Sequence, residues 1–234
     1  MFAHNTPYGA WGWPARPPYD HAVSSYARVE RAELCALLER VGPEHPTLCA
    51  GWNTYDLAAH LVTRERRPDA AAGILLKPLA GRTRSVQQRM HDTHSYTELI
   101  GLLRDGPPRW SPLGLPGADE AANAAEFFVH HEDVRRAAPG WTARELDPKL
   151  QDLLWSRLRR GGRLLFRAVH VGVQLHRIDT GATFAVRPGE PAAIVAGLPA
   201  ELMLYAFGRR PQANVTVTGD PDAVKRLNEA RLKQ

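Results

Sequence analysis

Apolar residues recur at helical spacing in four stretches of the first 140 residues. From Ser24 to Val41, the positions Tyr26, Val29, Leu34, Leu37 and Leu38 share a face, and Gly42-Pro43 closes the run. Asn53 predicts a helix cap with Asp56 three residues on, and TYDLAAHLVTRER then runs helically until Pro68. Ser95-Tyr96-Thr97-Glu98 opens a shorter helix that reaches Leu103 and ends before Gly106-Pro107-Pro108. Residues 119–137, DEAANAAEFFVHHEDVRRA, form the clearest helix, stopped by Pro139-Gly140. The long Arg-rich connection around GRTRSVQQRMHDTH is expected to be partly helical. Four helices with one long crossing connection predict an antiparallel four-helix bundle.

The pattern then changes. Asp147 to about Gly161 reads as a helix, after which VGVQLHRID and ATFAVRP alternate apolar and polar residues as strands do, joined through Asp179-Thr180-Gly181. A third strand is expected in PAAIVAG, a helix in PAELMLYAFG, a strand in NVTVTG and a last helix in DPDAVKRLNEARL. This is the pattern of a small α+β domain, so the fold class is mainly α with α+β. Residues 1–22, with Pro7, Pro14, Pro17, Pro18, Gly9 and Gly12, have neither periodicity and read as an extended or disordered leader. Trp11 and Trp13 would let it dock as a strap. The expected organisation is a leader over 1–22, a bundle over 23–140 and an α+β domain over 141–234.

Composition narrows the classes. A chain of 234 residues with 44% hydrophobic and 24% charged residues is neither disordered nor collagen-like. Cys35 and Cys49 are too few for a disulfide scaffold. Nothing approaches the roughly 18 consecutive apolar residues of a membrane helix, and no secretory signal is visible, so a cytoplasmic location is expected. The net charge of +5 is uneven: residues 1–140 hold 15 basic and 16 acidic side chains, residues 141–234 hold 15 and 9. No recognition motif accompanies the basic half, so nucleic acid is not the expected partner and an anionic small molecule fits better.

Ten histidines are present, and their positions matter more than their number. His4 and His21 lie in the leader, His45 in a loop, and His176 on an alternating strand where it should face solvent. Glu126 and His130 stand four apart, on one helical face, within AANAAEFFVH. Most of that stretch is small or apolar, and the solvated part of the helix is expected to run from His131 to Arg136. A buried carboxylate there must be protonated, paired or bound to a cation. His60 lies in DLAAHLV, again among small and apolar residues; it is either a satisfied core histidine or a ligand facing Glu126 and His130 across the bundle. Two histidines and one carboxylate leave coordination positions open, as in catalytic zinc and some iron sites. Asp56 either starts its helix or orients His60, and Asp133 either pairs with Arg136 or orients His130.

PTLCAGWNTYDLAAHLVTRERRP, followed by NAAEFFVHHEDVRRA, resembles the mycothiol-dependent maleylpyruvate isomerase family, within the wider set of DinB-like metal-binding helical bundles of actinobacteria. The resemblance spans roughly residues 25–234, since the last part, ending in VTVTGDPDAVKRL, is similar to the sterol-carrier-like domain that follows the bundle in these proteins. It implies zinc or another divalent metal held by His60, Glu126 and His130. It also implies mycothiol as a thiol cofactor for isomerisation or transfer on a small electrophilic substrate, the metal favouring the thiolate. The doublet leaves His131 as the alternative ligand; spacing from Glu126 favours His130.

Cys35 reads as inert packing, and Cys49, just before the second helix, is placed to approach the site. Arg157, Arg159, Arg160, Arg163 and Arg167 are either a solvated helix face or a site for carboxylates. No GxSxG turn suggests a serine nucleophile. The leading expectation is a metal-dependent, mycothiol-using transferase or isomerase. The alternative is a non-catalytic binder of metal or of an apolar ligand in the α+β domain, and a third reading is an interaction module acting through the basic surface.

Overall fold

The computed structural model describes residues 25–67, 69, 80–108, 110–111, 118–230 and 232. The leader over 1–22, with Trp11, Trp13, His4 and His21, lies outside the described residues. Helix α1 (Tyr26–Val41) ends at Gly42, whose φ of 80° is the left-handed conformation that glycine adopts without strain. Helix α2 (Thr54–Arg66) opens on a capping box: the Asn53 side chain accepts from the Asp56 backbone, and the Asp56 carboxylate accepts from the Asn53 backbone. The Arg-rich connection contains a helix, α3 (Ala80–Thr93). Helix α4 (Tyr96–Asp105) has a second capping box, Ser95 with Glu98. Helix α5 (Ala118–Arg135) follows.

Beyond the extended segment 141–147 come α6 (Pro148–Leu165), β1 (Gly172–Arg177), β2 (Thr183–Arg187) and β3 (Ala192–Gly197). Then follow α7 (Pro199–Ala206), a 3-10 turn at Arg210–Gln212, β4 (Thr216–Gly219) and α8 (Pro221–Glu229). The sheet order is β2-β1-β3-β4, with β1 and β3 parallel and both outer pairings antiparallel. The Asp179-Thr180-Gly181 hairpin forms as expected; the backbone N–H of Gly181 donates to the Arg177 carbonyl, and Arg177 grips Asp179. Helix α6 outruns its predicted end near Gly161 because Leu165 and Phe166 continue its buried face, and α8 stops at Glu229, short of Leu232.

Two apolar cores result. Leu34 and Leu38 of α1, Leu57 and Leu61 of α2, Leu99 and Leu103 of α4, and Phe127 and Val134 of α5 fill the first. Leu154 and Leu158 of α6, Leu175, Val186 and Val195 of the sheet, and Leu202 and Leu204 of α7 fill the second, joined by Phe128 and Val129. Helix α5 therefore serves both cores, with Phe127 turned one way and Phe128 the other. Successive residues of a helix lie about 100° apart, and a helix apolar on more than one side must be enclosed.

The stretch from His131 to Arg136 is not solvated, contrary to the sequence expectation. His131, Glu132 and Asp133 are fully buried and Arg136 nearly so. Arg136 bridges Glu132 and Glu201, tying α5 to α7. Arg144, from the extended segment, reaches Glu30 and Glu33 of α1 and Glu132 of α5. His131 and Arg136 read as surface residues but meet partners 101 and 65 residues distant, Glu30 and Glu201, which local pattern does not reveal.

Candidate metal centre

Helices α2 and α5 bring together the three residues singled out in the sequence. One ligand atom each of His60, Glu126 and His130 lies within 4.8 Å of the others. The two imidazoles meet edge to face with ring centroids 5.6 Å apart, and His130 Nε2 is 3.4 Å from Glu126 Oε1. Ala58 and Ala59 on α2 and Ala124 on α5 are fully buried beside the polar group.

Both histidines have their second ring nitrogen engaged. His60 Nδ1 is 3.2 Å from the side-chain oxygen of Gln87 on α3, so Nδ1–H donates and Nε2 keeps its lone pair. His130 Nδ1 is 2.9 Å from Asp133 Oδ2, which likewise directs its Nε2 toward Glu126. A carboxylate or amide oxygen behind each imidazole is the arrangement that orients metal ligands. The Trp52 ring lies 4.9 Å from that of His60 and shields it. Arg64, one turn along α2 from His60, balances the charge of Glu126 at 3.5 Å and also donates to Asn123.

The electrostatics follow from burial and partners. Burial, then the neighbouring His130, pushes His60 down to about 4, so it is neutral at neutral pH and its lone pair is available. For Glu126, burial favours protonation, but Arg64 and His130 outweigh it and hold the carboxyl well below its usual range. For His130, burial also opposes charge, but its hydrogen bonds to Asp133, Cys49 and Glu126 prevail and raise it well above 6.5.

Two other groups of potential donors occur among the described residues: Cys49, His130 and Asp133, and Glu30, Glu33 and His131. Each already contains a guanidinium. Arg209 lies 2.6 Å from Asp133 Oδ2 and 3.3 Å from Cys49 Sγ, and Arg144 lies 2.9 Å from Glu30 and 3.1 Å from Glu33. A cation of the protein stands where a metal would bind. Of these three groups, that of His60, Glu126 and His130 pairs two imidazole nitrogens with a carboxylate, and Arg64 stands 3.5 Å from that carboxylate.

The remaining candidates sort by geometry. His131 turns away from this site and its Nδ1 is 3.0 Å from Glu30 Oε2. Asp56 serves the α2 cap. Asp133 is bound to His130 and Arg209, and Arg136 goes instead to Glu132 and Glu201. Cys49 does approach the site, with Sγ 3.9 Å from His130 Nδ1, whereas Cys35 is buried against the Ile100 carbonyl. His45 is half-buried in its loop, and His176, also half-buried, lies on the face of β1 opposite the buried Val173, Leu175 and Arg177. Arg159, Arg160, Arg163 and Arg167 are exposed with no carboxylate partner among the described residues, as on a solvated face; Arg157 is half-buried. Sequence reasoning missed Gln87, Arg64 and Arg209. Arg64 stands four residues after His60 and was open to detection by that spacing; Gln87 and Arg209 come from remote elements and carry no local signal.

Among the described residues, no helix is long and apolar enough to cross a membrane. No protein-family model matches this chain. No curated protein matches it either. Two solved structures are similar to it, those of a mycothiol-dependent maleylpyruvate isomerase and of a mutant of that protein. Each is 16% identical with a TM-score of 0.55, over 83% of this chain and 91% of the other. At that identity the likeness is one of fold.

Proposed function

We propose that this protein is a metal-dependent enzyme that holds a divalent cation, zinc foremost, through His60, Glu126 and His130 and uses a small thiol of the mycothiol type to isomerise or transfer onto a small electrophile. The observation that carries the reading is the convergence of these three donors with Nδ1 of both histidines held from behind. Three protein donors leave positions free for water, thiol or substrate, which is the composition of catalytic and not of structural zinc sites. The fold shared with a mycothiol-dependent isomerase supports the thiol chemistry.

The residues of the chain have distinct tasks in this reading. Gln87 and Asp133 engage Nδ1 of the two imidazoles, which leaves Nε2 of each to hold a cation were one bound. Glu126 supplies the negative charge, and Arg64 keeps it ionised. Trp52 limits the access of water to His60. A cation held there would supply Lewis acidity, which lowers the pKa of a coordinated thiol or water.

In the same reading, residues 23–140 are a DinB-like four-helix bundle and 141–234 a sterol-carrier-like α+β domain. Residues 1–22 are a leader, and the protein works in the cytoplasm on small molecules, with no membrane or nucleic-acid partner.

Protein purified without added metal should carry near one equivalent of divalent ion per chain, and His60→Ala and Glu126→Ala should lose it. Loss of thiol-dependent turnover of an electrophile such as a cis-unsaturated keto acid should accompany loss of the ion. Variants that keep full metal content would overturn the ligand assignment.

A further inference from the structure

We propose that Arg209 is a positioning residue for the metal centre: carried by the turn after α7, it fixes Asp133, which in turn fixes the ring of His130. The inference rests on the reading of His130 as a ligand and goes beyond it, because it makes the α+β part of the chain complete a site whose donors all lie on α2 and α5.

Asp133 is fully buried, and its two oxygens face four donors. Arg209 Nε donates to Oδ1 at 2.7 Å and Nη2 to Oδ2 at 2.6 Å, a two-point grip that sets the plane of the carboxylate. Oδ2 also accepts from His130 Nδ1 at 2.9 Å and from Cys49 Sγ at 3.2 Å. Arg209 is itself held: Nη1 donates to the Phe207 carbonyl at 2.6 Å, and its backbone N–H to the Leu204 carbonyl at 3.0 Å. The backbone N–H of Leu48 donates to the Asp133 carbonyl. Three separate segments thus meet on one residue a single turn from His130. Without the arginine, the carboxylate keeps only His130 and Cys49 as partners and is free to rotate, and the imidazole loses a fixed direction.

Arg136 provides a comparison within the same fold. It also joins α5 to α7, through Glu132 and Glu201, without touching Asp133 or His130. A residue that merely docks the two helices should behave like Arg136; a positioning residue should not.

The test uses the full chain and Zn²⁺, with affinity measured by competition against a chromophoric chelator. Arg209→Met should lower affinity by about 10- to 100-fold, the usual cost of losing a partner behind a ligand. Arg209→Lys should recover only part of this, since an ammonium cannot span both carboxylate oxygens. The absorption spectrum of the Co²⁺ form should change in Arg209→Met. Arg136→Met should lower thermal stability while leaving affinity close to that of the parent. Unchanged affinity in Arg209→Met, or an equal loss in Arg136→Met, would overturn the proposal. Should Arg209→Met fail to fold, the isosteric Asp133→Asn carries the test, with the same loss expected and an unchanged affinity against it. A parent protein that binds no Zn²⁺ would overturn the site itself, and the two failures are thereby distinct.

Discussion

Arg144 Nη2 lies 2.9 Å from Glu30 Oε2, although the two residues are 114 apart in the chain. Glu30 is fully buried, as is Glu132, which Arg144 reaches at 2.6 Å through Nε. The extended segment after α5 is thus sewn to α1 and α5 by one guanidinium. Arg144→Met would leave two buried carboxylates without this partner, and breaking a buried pair costs about 3–5 kcal/mol. Urea unfolding should show that loss. A change within the roughly 0–1 kcal/mol of an exposed pair would mean that water replaces the arginine freely.

Acid should weaken the same junction. Burial alone would raise the Glu30 carboxyl, but Arg144 and His131 outweigh it and hold it at about 2, against an ordinary 4.5. Its folded value lies below its unfolded one, so the stabilisation is fully present above pH 4.5 and is lost as pH falls toward 2. The urea midpoint should decline through that window, and Glu30→Gln should flatten the decline while lowering stability at neutral pH. A parallel decline in both proteins would assign the acid sensitivity to other carboxylates.

Gln87 reaches the proposed centre from α3 through His60 Nδ1. Gln87→Ala should weaken metal binding about 10-fold by freeing the His60 ring, with little change in the melting temperature of the metal-free protein. Equal affinities would show that Trp52 and helix packing suffice to orient His60.

The two cysteines should differ in reactivity. Cys35 is fully buried, and burial pushes its thiol up to about 12 despite nearby Arg104 and Arg31. Cys49 is half-exposed. An aromatic disulfide reagent should titrate one thiol per native chain and two after unfolding. Prompt reaction of both in the native state would show that the first core opens readily.

Much of this arrangement was legible in the residues themselves. The helix starts at Asn53 and Ser95 carry their own caps, the Asp179-Gly181 hairpin carries its own turn, and the spacing of Glu126 and His130 places both on one face. These features are local, so a few adjacent residues decide them. His131, Glu132 and Arg136 were misjudged as solvated for the opposite reason. A charged side chain is read as exposed unless its partner is known: His131 meets Glu30 on α1, Arg136 meets Glu201 on α7, and Glu132 adds Arg144 of the 141–147 segment to Arg135 and Arg136 of its own helix. The same separation hid Gln87 and Arg209 behind the two histidines.

The doublet His130-His131 points one ring at the proposed centre and the next at Glu30. It does not therefore supply a spare ligand. A slip of α5 by a single residue would bring His131 to the place of His130, but Phe127 would then replace Glu126, and the carboxylate would vanish from the set. When distant sequences are aligned on this helix, the paired histidines invite that wrong offset; the glutamate, which has no twin beside it, is the safer anchor.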